Sequence, residues 1–339
     1  MAETSADDEH KEDKGKEEEW KDSPFSDAVY KELARLNGRI NQMSKAAIVS
    51  KLKQLKLNTE GNCDVLKQRL KSYYKKQKLT SANLLAASKL SPYYVIVDFE
   101  ATCEEVNAPD YPHEIIEFPA VLVSTEKQAV VDSFQAYCRP VINSKLSDFC
   151  VELTGITQEE VDKADTFPKI LKDFEDWLAK NKLGTKHKFT MVTDGPWDMG
   201  RFLYGQCKIS DLPYPQFAKK WINIRKVFSN FYKSKRCCLK LMLKHLELDF
   251  EGRPHCGLDD AHNIARVLLR MMNDGASIQV NERIHLASLE AKTKAGDKPE
   301  RMVVVPIIHA GDHRNTAVRV QRERSRRDCH RKESDEDST

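Results

Sequence analysis

Residues 95–100 read VIVDFE, a buried-looking apolar strand that closes on two carboxylates, Asp98 and Glu100. In a strand, residues two apart point to the same face, so both acids lean one way at the carboxyl end. Two carboxylates that close repel each other unless a cation sits between them. An oxygen-rich cluster of this kind suits Mg²⁺ or Mn²⁺. One acidic pair is also explained by a solvated strand end, so the wider pattern has to decide.

Two further acidic motifs supply that pattern. TDGPWD at 193–198 follows the apolar stretch FTMV and leads into Phe202 and Leu203 at helical spacing, and HCGLDD at 255–260 stands directly before a helical pattern. The order is D-x-E, then an Asp about a hundred residues on, then H-x4-D about sixty residues later. This order and spacing resemble the DEDDh 3′–5′ exonucleases over roughly residues 91–282. The resemblance implies an RNase H-like α/β fold, a five-stranded mixed sheet with helices on its faces. It also implies that Asp98, Glu100, Asp198 and Asp260 hold two Mg²⁺ ions (Mn²⁺ as an alternative), with Asp98 bridging both. Four carboxylates offset the four positive charges of such a pair, which can activate water and stabilise the leaving 3′ oxygen. In the same frame Glu100 and His255 are the catalytic residues, and His255 removes a proton from the attacking water. Asp194, in Asp-Gly-Pro, is explained by an Asx turn. One of Asp259 and Asp260 can cap the following helix, and the spacing from His255 favours Asp260 as ligand. Family sites use an LTG loop and nearby aromatics for the terminal nucleotide. That points to Glu100, Ala101, Phe149, Leu153, Thr154, Trp197 and His255, although Phe149 and Leu153 also read as core.

Composition bounds the rest. The 339 residues allow one domain of ordinary size plus extras, and 32% charged residues place much of the chain outside a core. No window approaches 18 consecutive apolar residues, so no transmembrane helix and no membrane partner are expected. The acidic N-terminus has no apolar segment of a secretory signal. The nine cysteines contain no C-x2-C pair and read as reduced thiols of a cytosolic or nuclear protein. The net charge of +3 hides segregation: residues 1–22 hold ten acids against four lysines, and residues 30–80 hold thirteen Lys/Arg against three acids. A compact basic module beside an acidic site points to a polyanion such as nucleic acid.

Residues 1–35 are expected to be a disordered acidic segment. Ser44 caps a helix over 44–56 with Ile48, Leu52 and Leu55 in its stripe. A turn at 57–61 leads to a second helix over 63–77 with Val65, Leu66, Leu70 and Tyr73. Lys67, Arg69, Lys71, Lys75 and Lys76 lie on its other side and can meet the phosphates of an RNA stem. Leu52, Leu55, Leu57, Gly61, Leu66, Arg69 and Leu70 resemble a SAP module at 36–78. It departs from the module's pattern at Ala47, where a capping-box acid is expected, and at Asn62 and Cys63. Residues 79–90 read as a linker. Strands are expected at 93–99, 112–124, 134–139, 189–192 and 221–224, with LTGIT at 153–157 a loop entering a helix. Helices are expected at 166–178, about 197–206, and 258–273. The Arg-rich tail, 283–339, reads as largely disordered, and 303–308 is left unassigned.

DFEATCEE, HEIIEFP, LSDFC, LTGIT, DGPWDM, FAKKWINIRK and GRPHCGLDD together are similar to the animal Eri-type 3′–5′ exoribonucleases. That resemblance implies RNA substrates: the histone mRNA 3′ stem-loop, the 3′ end of 5.8S rRNA, and siRNA. It further implies the stem-loop-binding protein as a partner, the ribosome as a further one, and residence in cytoplasm, nucleus and nucleolus. Two other classes share parts of the pattern. A 3′–5′ DNA exonuclease carries the same five site residues, and a non-catalytic stem-loop RNA-binding protein needs only the basic module.

Overall fold

The computed structural model describes residues 28–84, 90–285 and 304–307, which form two compact units. The first holds α1 (Ala28–Gln42), α2 (Lys45–Gln54) and, from Leu66 onward, α3 (Cys63–Ser81). Ser44 accepts the Ala47 amide at 3.3 Å and starts α2. Leu33, Ile40, Ile48, Leu52, Leu66, Leu70 and Leu79 are buried. α1 corrects the expected disorder of 28–35: Leu33 and Ile40, two turns apart, give it one apolar face. Residues 1–27 lie outside the described residues. α3 runs past its expected end at 77 into the expected linker. Its basic side chains divide. Lys75 and Lys76 are exposed, while Lys67 and Lys71 are half-buried. Lys71 reaches Asn41 Oδ1 at 2.6 Å. Arg69 is not on the expected exposed face: it is 3% exposed, and its guanidinium donates to the Asn58 carbonyl at 2.8 Å.

The second unit is built on a mixed sheet. Strands β1 (Tyr93–Ile96), β2 (Glu100–Ala101), β3 (Ile115–Ser124), β4 (Ala129–Tyr137), β5 (Phe189–Thr193), β6 (Lys220–Asn223), β7 (Glu282–Ile284) and β8 (Val304–Pro306) run in the order β2-β3-β1-β5-β6-β7-β8, with β4 paired to β3. β1 pairs parallel with β5, and β5 with β6, while β3 is antiparallel to β1, β2 and β4. The five expected strands are therefore present, and three short ones extend them. β7 and β8 correct the tail reading, since 282–284 and 304–306 pair antiparallel; the rest of the tail beyond 285 lies outside the described residues. These strands have three residues each, too short for alternation to be read.

β1 is apolar throughout because both of its faces are covered. Val95, Val97 and Phe99 join the core beneath α6 (Phe167–Lys180), after the shorter α4 (Asp148–Thr154) and α5 (Gln158–Lys163). Tyr94 and Ile96 join the core made with α8 (Ile224–Tyr232), α9 (Leu239–Leu246) and α10 (Gly257–Asn273). Between β5 and β6 stand a π-helical turn, Asp198–Leu203, and α7 (Tyr204–Ile209). α8 and α9 have no expected counterpart. LTGIT is also corrected: Leu153 and Thr154 finish α4, and Gly155, at φ +74°, ends it in the left-handed conformation that glycine adopts freely. Among the described residues no helix is long and apolar enough to cross a membrane.

Phe174 of α6 sits at the centre of the first core, with ring centroids 4.6 Å from Phe118, 5.6 Å from Phe134 and 5.7 Å from Trp177. Phe174→Ala should cost about 3–5 kcal/mol of stability. Urea unfolding checks this: the midpoint should fall with an unchanged slope.

Candidate active site

The alternation along β1 places Asp98 and Glu100 on the even-numbered face, the one that α10 covers. Asp98, Glu100, Asp198 and Asp260 are all buried, at 5%, 3%, 2% and 8% exposure. Asp198 opens the π-helical turn after β5, and its Oδ1 accepts the Phe99 amide at 3.1 Å, which fixes it beside the D-x-E segment. Asp260 stands in the first turn of α10, and its Oδ2 accepts the His255 amide at 2.8 Å. Glu100, His255 and Asp260 each present a ligand atom within 4.8 Å of the others. Glu100, Asp260 and the half-buried His255 imidazole form an oxygen-rich donor set that fits Mg²⁺ or Mn²⁺; Asp98 and Asp198 are not part of that group, although the Phe99 amide ties Asp198 to the D-x-E segment.

α10 reaches this position because its first residue is glycine. A Cβ on Gly257 would lie 2.6 Å from the Asp98 carbonyl oxygen and 2.9 Å from Pro119 Cγ, so only a bare Cα lets the helix start meet the strand end. His255 sits just before it in a left-handed conformation, φ +63°, sparsely populated for a residue with a side chain. Its loop is tied down on both sides. Arg253 N donates to Asp259 Oδ2 at 2.8 Å, Glu251 N to Asn263 Oδ1 at 3.1 Å, and Arg253 Nη2 to the Glu152 carbonyl at 2.8 Å. Asp259, read as a competing ligand or helix cap, instead holds the loop. Arg253 places a cation at the carboxyl end of α4, where carbonyl dipoles favour it. It thereby ties the His255 loop to the helix of Phe149, Leu153 and Thr154.

The expected nucleotide contacts separate by environment. Phe149 is 37% exposed, not core, and Leu153 is half-buried. Ala101 is buried on β2. Thr154 is 3% exposed, and its hydroxyl donates to the Cys150 carbonyl at 2.8 Å. The indole of Trp197 is half-buried, with the Arg201 guanidinium 4.3 Å from its ring centre. Asp194 makes no Asx turn: its Oδ2 pairs with Arg225 of α8, and its buried Oδ1 accepts no hydrogen bond. Burial works against the Arg225 charge, but the adjacent Asp194 more than offsets it and raises the guanidinium pKa.

Two acids of HEIIEFP were not singled out by sequence reasoning. Glu114 is fully buried, and its carboxylate accepts the amides of Val141, Ile142 and Asn143 at 2.6–3.1 Å. Glu117 is 1% exposed, and burial raises its pKa against the lowering effect of its hydrogen bonds. The available signal was a glutamate set inside an apolar strand, since glutamate is almost never fully buried without a partner.

The mixed sheet, with this acidic cluster at the carboxyl ends of its central strands, has the RNase H-like form. Residues 95–268 match the RNase_T (Exonuclease) family. Human 3'-5' exoribonuclease 1 is 56% identical over 267 residues, 78% of this chain and 76% of that protein. The 3'-5' exonuclease eri1 of Schizosaccharomyces pombe is 34% identical over 261 residues, 68% of this chain and 87% of that one. A solved structure of 3'-end specific recognition of histone mRNA stem-loop by 3'-exonuclease aligns with TM-score 0.59 and 51% identity, covering 84% of this chain and 94% of that chain. The nuclease domain of a DEDDh family member bound to rAMP aligns with TM-score 0.57 and 56% identity, covering 58% and 100%. The chain belongs to the RNase_T exonuclease family, and it is a nuclease that hydrolyses phosphodiester bonds.

Gly257→Ala should separate the start of α10 from the end of β1. The expected cost is about 1–3 kcal/mol, typical of overpacking. Thermal unfolding measures that loss, and nuclease assays below the transition should show activity falling further than the folded fraction does.

Proposed function

We propose that the protein is a 3′–5′ exoribonuclease that trims RNA one nucleotide at a time. The observation that carries this reading is the convergence of Glu100, His255 and Asp260 within 4.8 Å, beside the buried Asp98 and Asp198. Membership of an exonuclease family and similarity to named 3'-5' exoribonucleases support it. Asp98, Glu100, Asp198 and Asp260 would hold two Mg²⁺ ions, or Mn²⁺, which when bound supply water activation and charge stabilisation at the leaving oxygen. His255 takes the proton of the attacking water on an imidazole nitrogen, and the hydrogen bond its backbone amide donates to Asp260 Oδ2 holds its backbone for that task. Ala101, Leu153, Phe149 and Trp197 shape the pocket for the terminal nucleotide. Thr154 supports it from within α4, because its hydroxyl is already engaged. Aromatic and aliphatic contacts tolerate any base, as successive trimming requires.

The RNA in this reading is the histone mRNA 3′ stem-loop, with the 3′ end of 5.8S rRNA and siRNA as further substrates. One similar solved structure concerns recognition of that stem-loop by a 3'-exonuclease. The three-helix unit serves as a SAP module that meets the stem through phosphates. Lys75 and Lys76 are exposed cations of α3, Lys67 and Lys71 lie half-buried on the same helix, and Arg69 also holds the preceding turn. The stem-loop-binding protein and the ribosome are the partners, and the sites of action are cytoplasm, nucleus and nucleolus.

EDTA and Asp98→Ala should each abolish 3′-end trimming while the protein stays folded. His255→Ala should slow it by about 10²- to 10⁴-fold with RNA binding nearly unchanged. Matched RNA and DNA oligonucleotides, including a stem-loop with a 3′ overhang, give the measurement. Full activity of Asp98→Ala, or preference for DNA, would contradict the reading.

Lys75→Ala with Lys76→Ala should weaken stem-loop binding and lower its salt slope by roughly two units, about one per phosphate contact. Hydrolysis of a short single strand should hardly change. Binding titrations at two salt concentrations, alongside single-strand turnover, check the division of labour.

A further inference from the structure

α10 begins without a local cap. Cys256, at the capping position, gives the first turn no regular side-chain cap, its thiol being only a weak partner of Asp259. The first amides of a helix nevertheless need acceptors. They find one 140 residues earlier in the chain: Glu117 Oε2 accepts Gly257 N at 2.9 Å, and Oε1 accepts Leu258 N at 3.3 Å. Gln135 Nε2 donates to Oε1 as well, at 2.8 Å. Three donors thus face two carboxylate oxygens, which directs Glu117 to the helix and not into the acidic cluster.

The position of this acid is the unusual part. Glu117 on β3 is the direct cross-strand partner of Glu100 on β2. Like charges opposite each other on antiparallel strands destabilise a sheet. Turning one of them onto a helix start, where the dipole is positive, relieves that repulsion. The same turn of α10 carries Asp260, which in turn holds the His255 amide. It is also wedged against the Asp98 carbonyl through Gly257. A displaced helix start would therefore move Asp260 and His255 together, away from Glu100.

We propose that Glu117 is a positioning residue for the hydrolysis, acting through the amino terminus of α10 to set Asp260 and His255 against Glu100. This rests on the site reading given under Proposed function. Glu117 touches neither substrate nor reacting atoms. Its contribution is to replace a local cap by one anchored on the strand that pairs with Glu100, so that helix and acid are located from a single point.

Glu117→Gln keeps the shape and one acceptor oxygen but removes the charge, and Glu117→Ala removes both. Steady-state trimming of a short RNA should show kcat reduced by about 10- to 100-fold in Glu117→Gln with KM nearly unchanged, as a small misplacement of catalytic groups produces. Calorimetric titration with Mn²⁺ should show affinity weakened by about tenfold or more, the usual consequence of losing a group that orients ligands. Glu117→Ala should be at least as impaired. If it fails to fold, Glu117→Gln alone decides. Wild-type kcat and Mn²⁺ affinity in Glu117→Gln overturn the proposal. A kcat loss that disappears at low temperature, where the variant is fully folded, overturns it too, because Glu117 would then act on stability alone. Asp260→Asn, measured in parallel, separates this from the underlying reading: if that variant is fully active, the site assignment itself fails, whatever Glu117 does.

Discussion

Four carboxylates buried at one end of a sheet repel one another, and the surrounding structure is arranged to keep them together. The four acids rest on two kinds of support. Asp98 and Glu100 stand at the end of a strand whose faces are both packed, so neither can swing away without disturbing Val97 or Phe99. Asp198 is held by the Phe99 amide, and Asp260 by the His255 amide. These bonds fix where the two acids point. The charge of the four acids is what a pair of divalent cations would balance.

The histidine loop meets the same constraint from the other side. A left-handed residue costs free energy, and at His255 the neighbouring contacts hold it there. Asp259, Asp260 and Asn263, all on α10, bond backbone groups of residues 251, 253 and 255. The loop is thus carried by the helix as one piece. Arg253 extends that piece to α4, close enough to Gly155 that a side chain there would collide with its guanidinium. The proposed nucleotide pocket and the proposed base are linked by this one arginine.

Much of this was legible in the sequence because the signals were local. VIVDFE, FTMV, the stripe of Ile170, Phe174 and Trp177, and the periodic run before Gly275 all declare their elements through spacing alone. Ser44 declared a helix start that its hydroxyl does make. What stayed hidden depends on partners distant in the chain. α1 follows an acidic stretch whose composition masks the Leu33 and Ile40 face. β7 and β8 are strands only because each finds an edge to pair with. Arg69 reads as one more surface cation, whereas its guanidinium is held by the Asn58 carbonyl. Asp194, a turn residue by its neighbours Gly and Pro, is claimed by Arg225 from another helix. Glu114 and Glu117 bond amides 27 and 140 residues away, and no periodicity announces such a pairing.

The most direct test of the central claim is anomalous diffraction from crystals of the protein grown with Mn²⁺ and a short RNA. The account predicts metal peaks at the acidic cluster, with Asp98, Glu100, Asp198 and Asp260 as the residues that hold them. Peaks lying elsewhere, or a single ion that Asp98 and Asp260 do not share in holding, would contradict it.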